Sequence, residues 1–343
     1  MTNDLIQTEE ALEQHLSRPT EADAVALADL RGDLLLLGCG GKMGPSLARL
    51  AKRAARKAGV ERRIIAVARF SNPGLAAQLQ AEGIECIASD LLEPDTLRQL
   101  PDAENVVFMA GKKFGTSDAQ HTTWAINSYL PGLVAERYRD SRIVAFSTGN
   151  VYGLRPAAQG GSTESSPLNA EGEYAQSALG RERLFAYGSE RCGTPVTILR
   201  LNYAIELRYG VLVDIAQAVY NRQPVDLRTG LVNVIWQRDA NSACLRSFAL
   251  CQSPPRILNL TGPETLSTRY IAEEFARRFG VQPLFVGEET GSALLNNAAE
   301  AHALFGYPTV TPVQMMDWIA HWICIGGPLL GKPTHFEVRD GKF

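Results

Sequence analysis

Three features of the sequence predict an α/β protein, a doubly wound parallel sheet with a smaller C-terminal α/β lobe. From Asp33 to Leu201, short apolar runs alternate with amphipathic stretches. The runs are nearly continuous in apolar residues, the pattern of strands covered by helices on both faces. The first run ends in a glycine turn that opens a helix. A length of 343 residues exceeds one small domain and points to two lobes.

Residues 1–31 read as a polar helical extension. Glu9 to Leu16 and Glu21 to Leu30 carry apolar residues at helical spacing, with Pro19 between them. A packing arm or a dimer contact is expected there. Strands follow at Leu34–Leu37, Ile64–Ala68, Ile84–Ala88, Val106–Met109, Ile143–Phe146 and Val196–Leu199. The helices between them are expected at about Gly44–Ala58, Pro73–Glu82, Thr123–Tyr138 and Tyr174–Cys192. After Leu201 the rhythm loosens. A helix at Val211–Tyr220 precedes a polar loop with Trp236 and Asp239, and Ile257–Leu260 reads as another strand. Ser267 caps a helix running to Phe279, and Thr311 with Gln314 opens another. The expected division is a sheet domain over 32–202 plus about 230–262, and a substrate lobe over 203–229 and 263–325. Residues 326–343 form a Gly- and Pro-rich tail expected to lie along the surface.

Composition narrows the function classes. A net charge of −3 with no basic stripe gives nucleic acid and anionic membranes nothing to bind. Lys52, Arg53, Arg56, Lys57, Arg62 and Arg63 are interleaved with apolar residues and read as a solvated face. Six scattered cysteines without a C-x-x-C pair, and five histidines that do not cluster beside them, argue against a disulfide framework and a metal site. The N-terminus has no apolar signal core, and no apolar run approaches the roughly 20 residues that cross a bilayer. A cytoplasmic protein is expected.

The glycine turn carries the first chemistry. In Leu34-Leu-Leu-Leu-Gly38-Cys-Gly40-Gly41-Lys42-Met43-Gly44, glycines 38, 41 and 44 are spaced G-x-x-G-x-x-G between a buried strand and a helix start. Such a turn needs residues without a Cβ beside the ligand, and the helix N-terminus offers free N–H groups to a pyrophosphate. In this context the motif predicts a Rossmann-type dinucleotide site. The second strand ends at Arg69 and Ser71. An acid there would hold the ribose hydroxyls of NAD, whereas an arginine accommodates the 2′-phosphate of NADP, so Arg69 favours NADP over NAD.

Further ordered segments resemble the NAD-dependent epimerase/dehydratase family, the extended short-chain dehydrogenase/reductases, over about Leu34 to Ile325. They are Ser89-Asp90-Leu91, Met109-Ala110-Gly111, Ile126-Asn127, Phe146-Ser-Thr148-Gly-Asn-Val-Tyr152-Gly153, Thr163-Glu164-Ser-Ser-Pro167, Leu199-Arg200, Asp239 and Asn259-Leu-Thr-Gly262. The resemblance implies that Asp90 and Leu91 contact adenine and that Ala110 and Gly111 lie on the nicotinamide side. It implies Thr148 as the hydroxyl that holds a substrate oxygen and Tyr174 as the acid/base, with Asn127 nearby. It further implies a sugar, sugar acid or nucleotide-sugar substrate, and a homodimer.

One position departs from the family. Its Y-x-x-x-K motif reads Tyr174-Ala-Gln-Ser-Ala178, so the lysine that assists the tyrosine is missing. Lys112 and Lys113, after the fourth strand, are candidate replacements, because strand carboxyl ends line the cleft. Arg181 lies about one turn beyond Ala178 on a similar face but would point differently. On the substrate side, Asn202, Tyr203, Arg208, Trp236 and Arg238 are candidates, the last three as a cluster for a carboxylate or diphosphate. Two functions of different class follow: an NAD(P)-dependent epimerase, dehydratase or reductase, and a binding-only sensor or scaffold that has lost its chemistry. Lyase or isomerase work without net redox is a third.

Overall fold

The computed structural model describes residues 5–116 and 118–341. Seven strands form one parallel sheet: β1 (Leu34–Leu37), β2 (Ile64–Ala68), β3 (Glu85–Ala88), β4 (Asn105–Phe108), β5 (Arg142–Thr148), β6 (Val196–Leu201) and β7 (Arg256–Leu260). Their spatial order is β7-β6-β5-β4-β1-β2-β3. The chain winds outward in both directions from β1, which pairs Leu37 with Val67 of β2 and with Phe108 of β4. That reversal opens a crevice at the carboxyl ends of β1 and β4, where ligands of such sheets bind.

Helices cover both faces because alternate strand residues are apolar on both. On one face Leu34, Leu36, Ile64, Ala66, Val144 and Leu258 pack under Leu27 of the second N-terminal helix and Leu47, Leu50 and Ala51 of the helix after the glycine turn. The N-terminal helices are α1 (Glu9–Leu16) and α2 (Glu21–Asp29), and the helix after the turn is α3 (Gly44–Lys57). On the other face Leu35, Leu37, Val106, Phe108, Ile143 and Ile198 meet Leu130, Val134 and Phe185. Each fully buried Leu, Ile or Phe contributes roughly 1.5–3 kcal/mol through the water it sheds.

The second lobe has its own core. Helices α8 (Val211–Tyr220), α10 (Thr268–Phe279) and α12 (Pro312–Cys324) bury Leu212, Ile271, Phe275, Met316 and Trp322 together. Leu12 and Leu16 of α1 belong to this core, while Leu27 of α2 belongs to the sheet domain. The N-terminal extension is therefore a packing arm on its own chain that ties the two lobes together.

Three expectations are corrected. The segment read as a polar loop after Trp236 is helix α9 (Gln237–Arg246), and it is almost wholly buried. Its polar side chains turn inward: Gln237 and Asn241 both donate to the Ser46 hydroxyl of α3 at 2.9 Å, while their own side-chain oxygens are buried without a partner. The expected helix Thr123–Tyr138 is instead α5 (Gln120–Trp124), a π-turn (Ala125–Tyr129) and α6 (Leu130–Arg137). Pro131 is the cause, since it has no N–H to return to the Asn127 carbonyl four residues earlier. The tail lies along the surface over 326–333, as expected, but then anchors inward. Thr334 and Phe336 are buried, and Asp214 of α8 accepts hydrogen bonds from the Thr334 backbone at 2.7 Å and hydroxyl at 2.6 Å. Among the described residues no helix is long and apolar enough to cross a membrane.

Candidate active site

The glycine turn sits at the floor of the crevice, and each glycine is there for its own reason. Gly38 has φ +90°, and a Cβ on it would lie 2.5 Å from the Ala110 nitrogen on β4's exit. A Cβ on Gly44 would overlap the Cys39 carbonyl. Gly40 is tight, with the Ala68 Cβ 3.0 Å away. Gly41 differs: a Cβ there would meet only the Gly38 oxygen at an ordinary 3.7 Å. Protein packing does not require its bare face, and that face opens onto cavities on both sides. A cradle that a Cβ would fill is what a pyrophosphate over a helix N-terminus needs.

On one side of the turn lies a trough of about 630 Å³. Gly38, Gly40, Gly41, Arg69, Ser71, Asp90, Leu91, Ala110 and Gly111 line it. It gathers nearly all the residues expected to bind the cofactor; Lys42 and Met43 belong to the opposite side. Arg69 reaches 4.0 Å from the Asp90 carboxylate, so an acid and a guanidinium face each other in the trough.

On the other side is a cavity of about 320 Å³. Thr148 and Tyr174 line it together with Lys42, Met43, Lys113, Asn202, Tyr203 and Tyr209. Thr148 ends β5, and its hydroxyl accepts from the Asn150 nitrogen at 3.2 Å, which fixes its rotamer. Tyr174 comes from the first turn of α7 (Gly172–Cys192). Lys42 sends its ammonium to the Ala204 carbonyl at 2.6 Å and over the Tyr209 ring at 4.3 Å. Withdrawal from water pushes its pKa down to about 7, against the pull of Glu206. Burial likewise pushes Lys113 down to about 8, with Asp214 and Glu337 opposing.

Where the missing lysine would stand, α7 offers something else. Ala178 is buried against Val151 and Tyr152. One turn on, Arg181 is buried and passes beneath the cleft. Its guanidinium donates to the Phe146 carbonyl at 2.7 Å, to Asn127 Oδ1 at 3.0 Å and, at 3.4 Å, to the Asn127 carbonyl. That carbonyl is the one Pro131 left without its helical donor. Arg181 also reaches Gly111, where a Cβ would sit 3.0 Å from its nitrogen. Burial lowers the arginine's pKa, and the Tyr174 oxygen pulls the other way.

Asn127 is a clamp. It accepts from the Lys112 nitrogen and donates to the Lys112 carbonyl, both at 2.9 Å, and donates to Ser177 at 3.0 Å. Lys112 thus serves the site through its backbone, and its side chain is absent from the cavity lining. Lys113 does face the cavity and donates to the Thr334 carbonyl at 3.2 Å.

The expected cluster of Arg208, Trp236 and Arg238 does not form a ligand site. Arg208 is bound to Glu206, Glu9 and Glu13, and Arg238 to Asp23 and Asp239. Trp236 is buried edge-on against Trp318. Arg208 thus holds the N-terminal arm to the second lobe, and Arg238 holds it to α9 of the sheet domain. Asn202 is also committed, donating to Asn233 at 2.7 Å, though it still borders the cavity.

Several of the ordered motif segments meet in one buried network behind Thr148. Ser147 donates to Glu182 at 2.6 Å, Glu182 pairs with Arg200 at 2.7 Å, and Arg200 donates to the Tyr152 hydroxyl at 2.8 Å. Tyr152 passes the chain to Asn259, whose own nitrogen donates to Glu164 at 2.7 Å. Nothing in the spacing of these residues marked Glu182 as a member.

The sequence model of the NAD dependent epimerase/dehydratase family matches residues 34–205. The chain belongs to that family. It is an enzyme of the family with a Rossmann-type sheet. Among solved structures it is similar to UDP-glucuronic acid 4-epimerase from Bacillus cereus, solved with UDP-glucuronic acid and NAD. The two share 18% identity at a TM-score of 0.70, over 85% of this chain and 99% of that one. It is also similar to a dTDP-glucose 4,6-dehydratase from Streptomyces venezuelae, solved as a double mutant with NAD bound, at 18% identity and a TM-score of 0.73, over 86% of this chain and 97% of that one. A comparison with curated proteins finds no match.

Proposed function

We propose that this enzyme uses NAD(P) to epimerise, dehydrate or reduce a sugar, sugar acid or nucleotide-sugar, with Tyr174 as acid/base and Thr148 orienting the reacting oxygen. The carrying observation is that Thr148 and Tyr174, 26 positions apart in sequence, line one cavity that shares the glycine turn with the dinucleotide trough. When bound, the nicotinamide supplies the hydride acceptor or donor. Thr148 donates a hydrogen bond to the substrate oxygen. Tyr174 takes that oxygen's proton as a carbonyl forms and returns it on reduction.

The missing lysine favours a second reading, a binding-only protein. Arg181 weakens it. A guanidinium beneath the cleft attracts charge that develops on the Tyr174 oxygen, and its anchor on Asn127 puts it beside Gly111, where a nicotinamide ribose would rest. Arginine is fully charged at any relevant pH and has a planar fork that a lysine lacks. NADP is the preferred form of the cofactor on the strength of Arg69, and a homodimer is expected.

The test begins by denaturing freshly purified protein and identifying released nucleotide by mass. The stripped protein is then titrated with NADH and NADPH and assayed on UDP- and dTDP-sugars. Enzyme activity that falls by about 10²–10⁴-fold in Tyr174→Phe supports the proposal. Tight nucleotide binding with no turnover on any sugar, and no difference for Tyr174→Phe, supports the binding-only reading.

A further inference from the structure

We propose that Lys42 and Lys113 form an anion subsite that holds a carboxylate carried by the reacting sugar, making a sugar acid rather than a neutral hexose the substrate class. The inference rests on the reading of this cavity as the substrate site and goes further in naming what it selects.

Two segments about 70 residues apart bring an ammonium each to the cavity that Tyr174 and Thr148 line. Lys42 leaves the glycine turn toward the second lobe, not toward the dinucleotide trough, whose lining includes Gly38, Gly40 and Gly41 but not Lys42. Its charge is therefore aimed away from the pyrophosphate cradle and at the substrate. Lys113 approaches from the exit of β4, and the two cations repel one another. Among the described residues no carboxylate lies within ion-pair distance of Lys42. The acids that act on it, Glu206 and Asp214, are engaged elsewhere: Glu206 with Arg208 and Asp214 with Thr334. Two ammonium groups drawn out of water toward one space are stabilised by an anion placed between them. The depressed pKa values of both lysines follow from the same geometry, and a bound carboxylate would restore them. The neighbours Asn202, Tyr203 and Tyr209 bring further polar groups to the wall, suited to sugar hydroxyls. The Lys113 bond to the Thr334 carbonyl keeps the tail over the same site.

The experiment uses the NAD-loaded full chain and two probes that differ at one carbon, UDP-glucuronate and UDP-glucose. Calorimetric titration is expected to give at least tenfold tighter binding of UDP-glucuronate. In Lys113→Met and Lys42→Met the ratio of the two affinities should fall to about one. Equal affinities in the wild type overturn the subsite. So does a variant that weakens both probes alike, because the anion is then the nucleotide's diphosphate, and so does a Lys42→Met variant that loses only NAD affinity, because the anion is then the cofactor's pyrophosphate. If neither probe binds, the proposed substrate class fails, and the subsite is judged by inorganic phosphate. Protection of Lys42 and Lys113 from acetic anhydride by phosphate, read by peptide mass, upholds an anion site, and no protection overturns it.

Discussion

The two ends of the ligand crevice are built on different rules. At the glycine turn, a run of seven residues, 38 to 44, sets the geometry, and almost every constraint is backbone against backbone. At the far end, the groups that matter come from four separate segments: Lys42 from the turn, Lys113 from the exit of β4, Thr148 from β5, and Tyr174 with Arg181 from α7. A site made by local backbone is hard to vary one residue at a time. A site made by converging side chains leaves Ala178 where the family motif has lysine and brings the Arg181 guanidinium to Asn127 and Gly111.

The largest effect that would sharpen this contrast lies in the glycines. Gly44→Ala drives a Cβ into the Cys39 carbonyl and is expected to destabilise the protein by about 3 kcal/mol, the scale of core overpacking. Gly41→Ala meets only an ordinary contact, so its melting temperature should stay near the wild type while NAD(P)H affinity drops at least tenfold. Thermal unfolding and nucleotide titration of the two variants separate packing glycine from ligand glycine. Equal loss of stability in both would break the comparison.

Next in size is an exchange on α7. Ala178→Lys places a second cation near buried Arg181 and into the space that Val151 and Tyr152 fill. A cost of about 2–4 kcal/mol is expected from overpacking and like charge together. Adding Arg181→Ala should return part of it, because the charges no longer compete. Urea unfolding of the two single variants and the double variant gives the coupling directly. Additive losses would show that Arg181 does not occupy the lysine's electrostatic place.

This is also where the sequence stopped being legible. The succession of strands and the glycine turn follow from spacing and apolar pattern, whereas Thr148 and Tyr174 were reached through the family resemblance, and the structure places those two on one cavity. Arg181 was visible only as a residue on a similar face. Its reach across to Asn127 depends on the π-turn, and the π-turn depends on Pro131 withdrawing one hydrogen bond. Arg208 and Arg238 look like ligand-binding arginines by composition, but besides the adjacent Glu206 and Asp239 they are claimed by acids near the N-terminus, some 195 to 215 positions away. Helix α9 looks like a loop in sequence because its polar residues are buried rather than turned to water. Long-range pairing of polar groups leaves no period in a sequence.

A smaller effect concerns the lysine in the turn. Lys42 titrates near 7 in the fold, far below its ordinary value of 10.5. Between those limits the unfolded chain holds the extra proton, so stability rises as pH rises through that window. Burial is the main cause; among the neighbouring charges Glu206 and Asp214 favour the ammonium, and Lys113 and Arg208 oppose it. Lys42→Met should stabilise the ligand-free protein at pH 6 to 7 by about 1–2 kcal/mol, net of the lost bond to Ala204 and of solvent screening. The gain should fade by pH 10. Urea unfolding across that range checks the slope, and a gain that does not change with pH would show that the ammonium is not held away from water.

The smallest effect lies at the adenosine end, where the trough sets Arg69 against Asp90 at 4.0 Å. The arginine side chain is 71% exposed, so whatever it contributes to a 2′-phosphate is an interaction made largely in water. Exposed pairs of this kind are worth under about 1 kcal/mol and weaken with salt. Arg69→Ala is accordingly expected to lower NADPH affinity by about three- to fivefold at low salt and to leave NADH affinity within about twofold, with the difference shrinking at high ionic strength. Fluorescence titration with both nucleotides at two salt concentrations reads it. If the variant binds both forms as the wild type does, Asp90 governs the ribose alone, the guanidinium is only solvated, and this end of the crevice holds NAD rather than NADP.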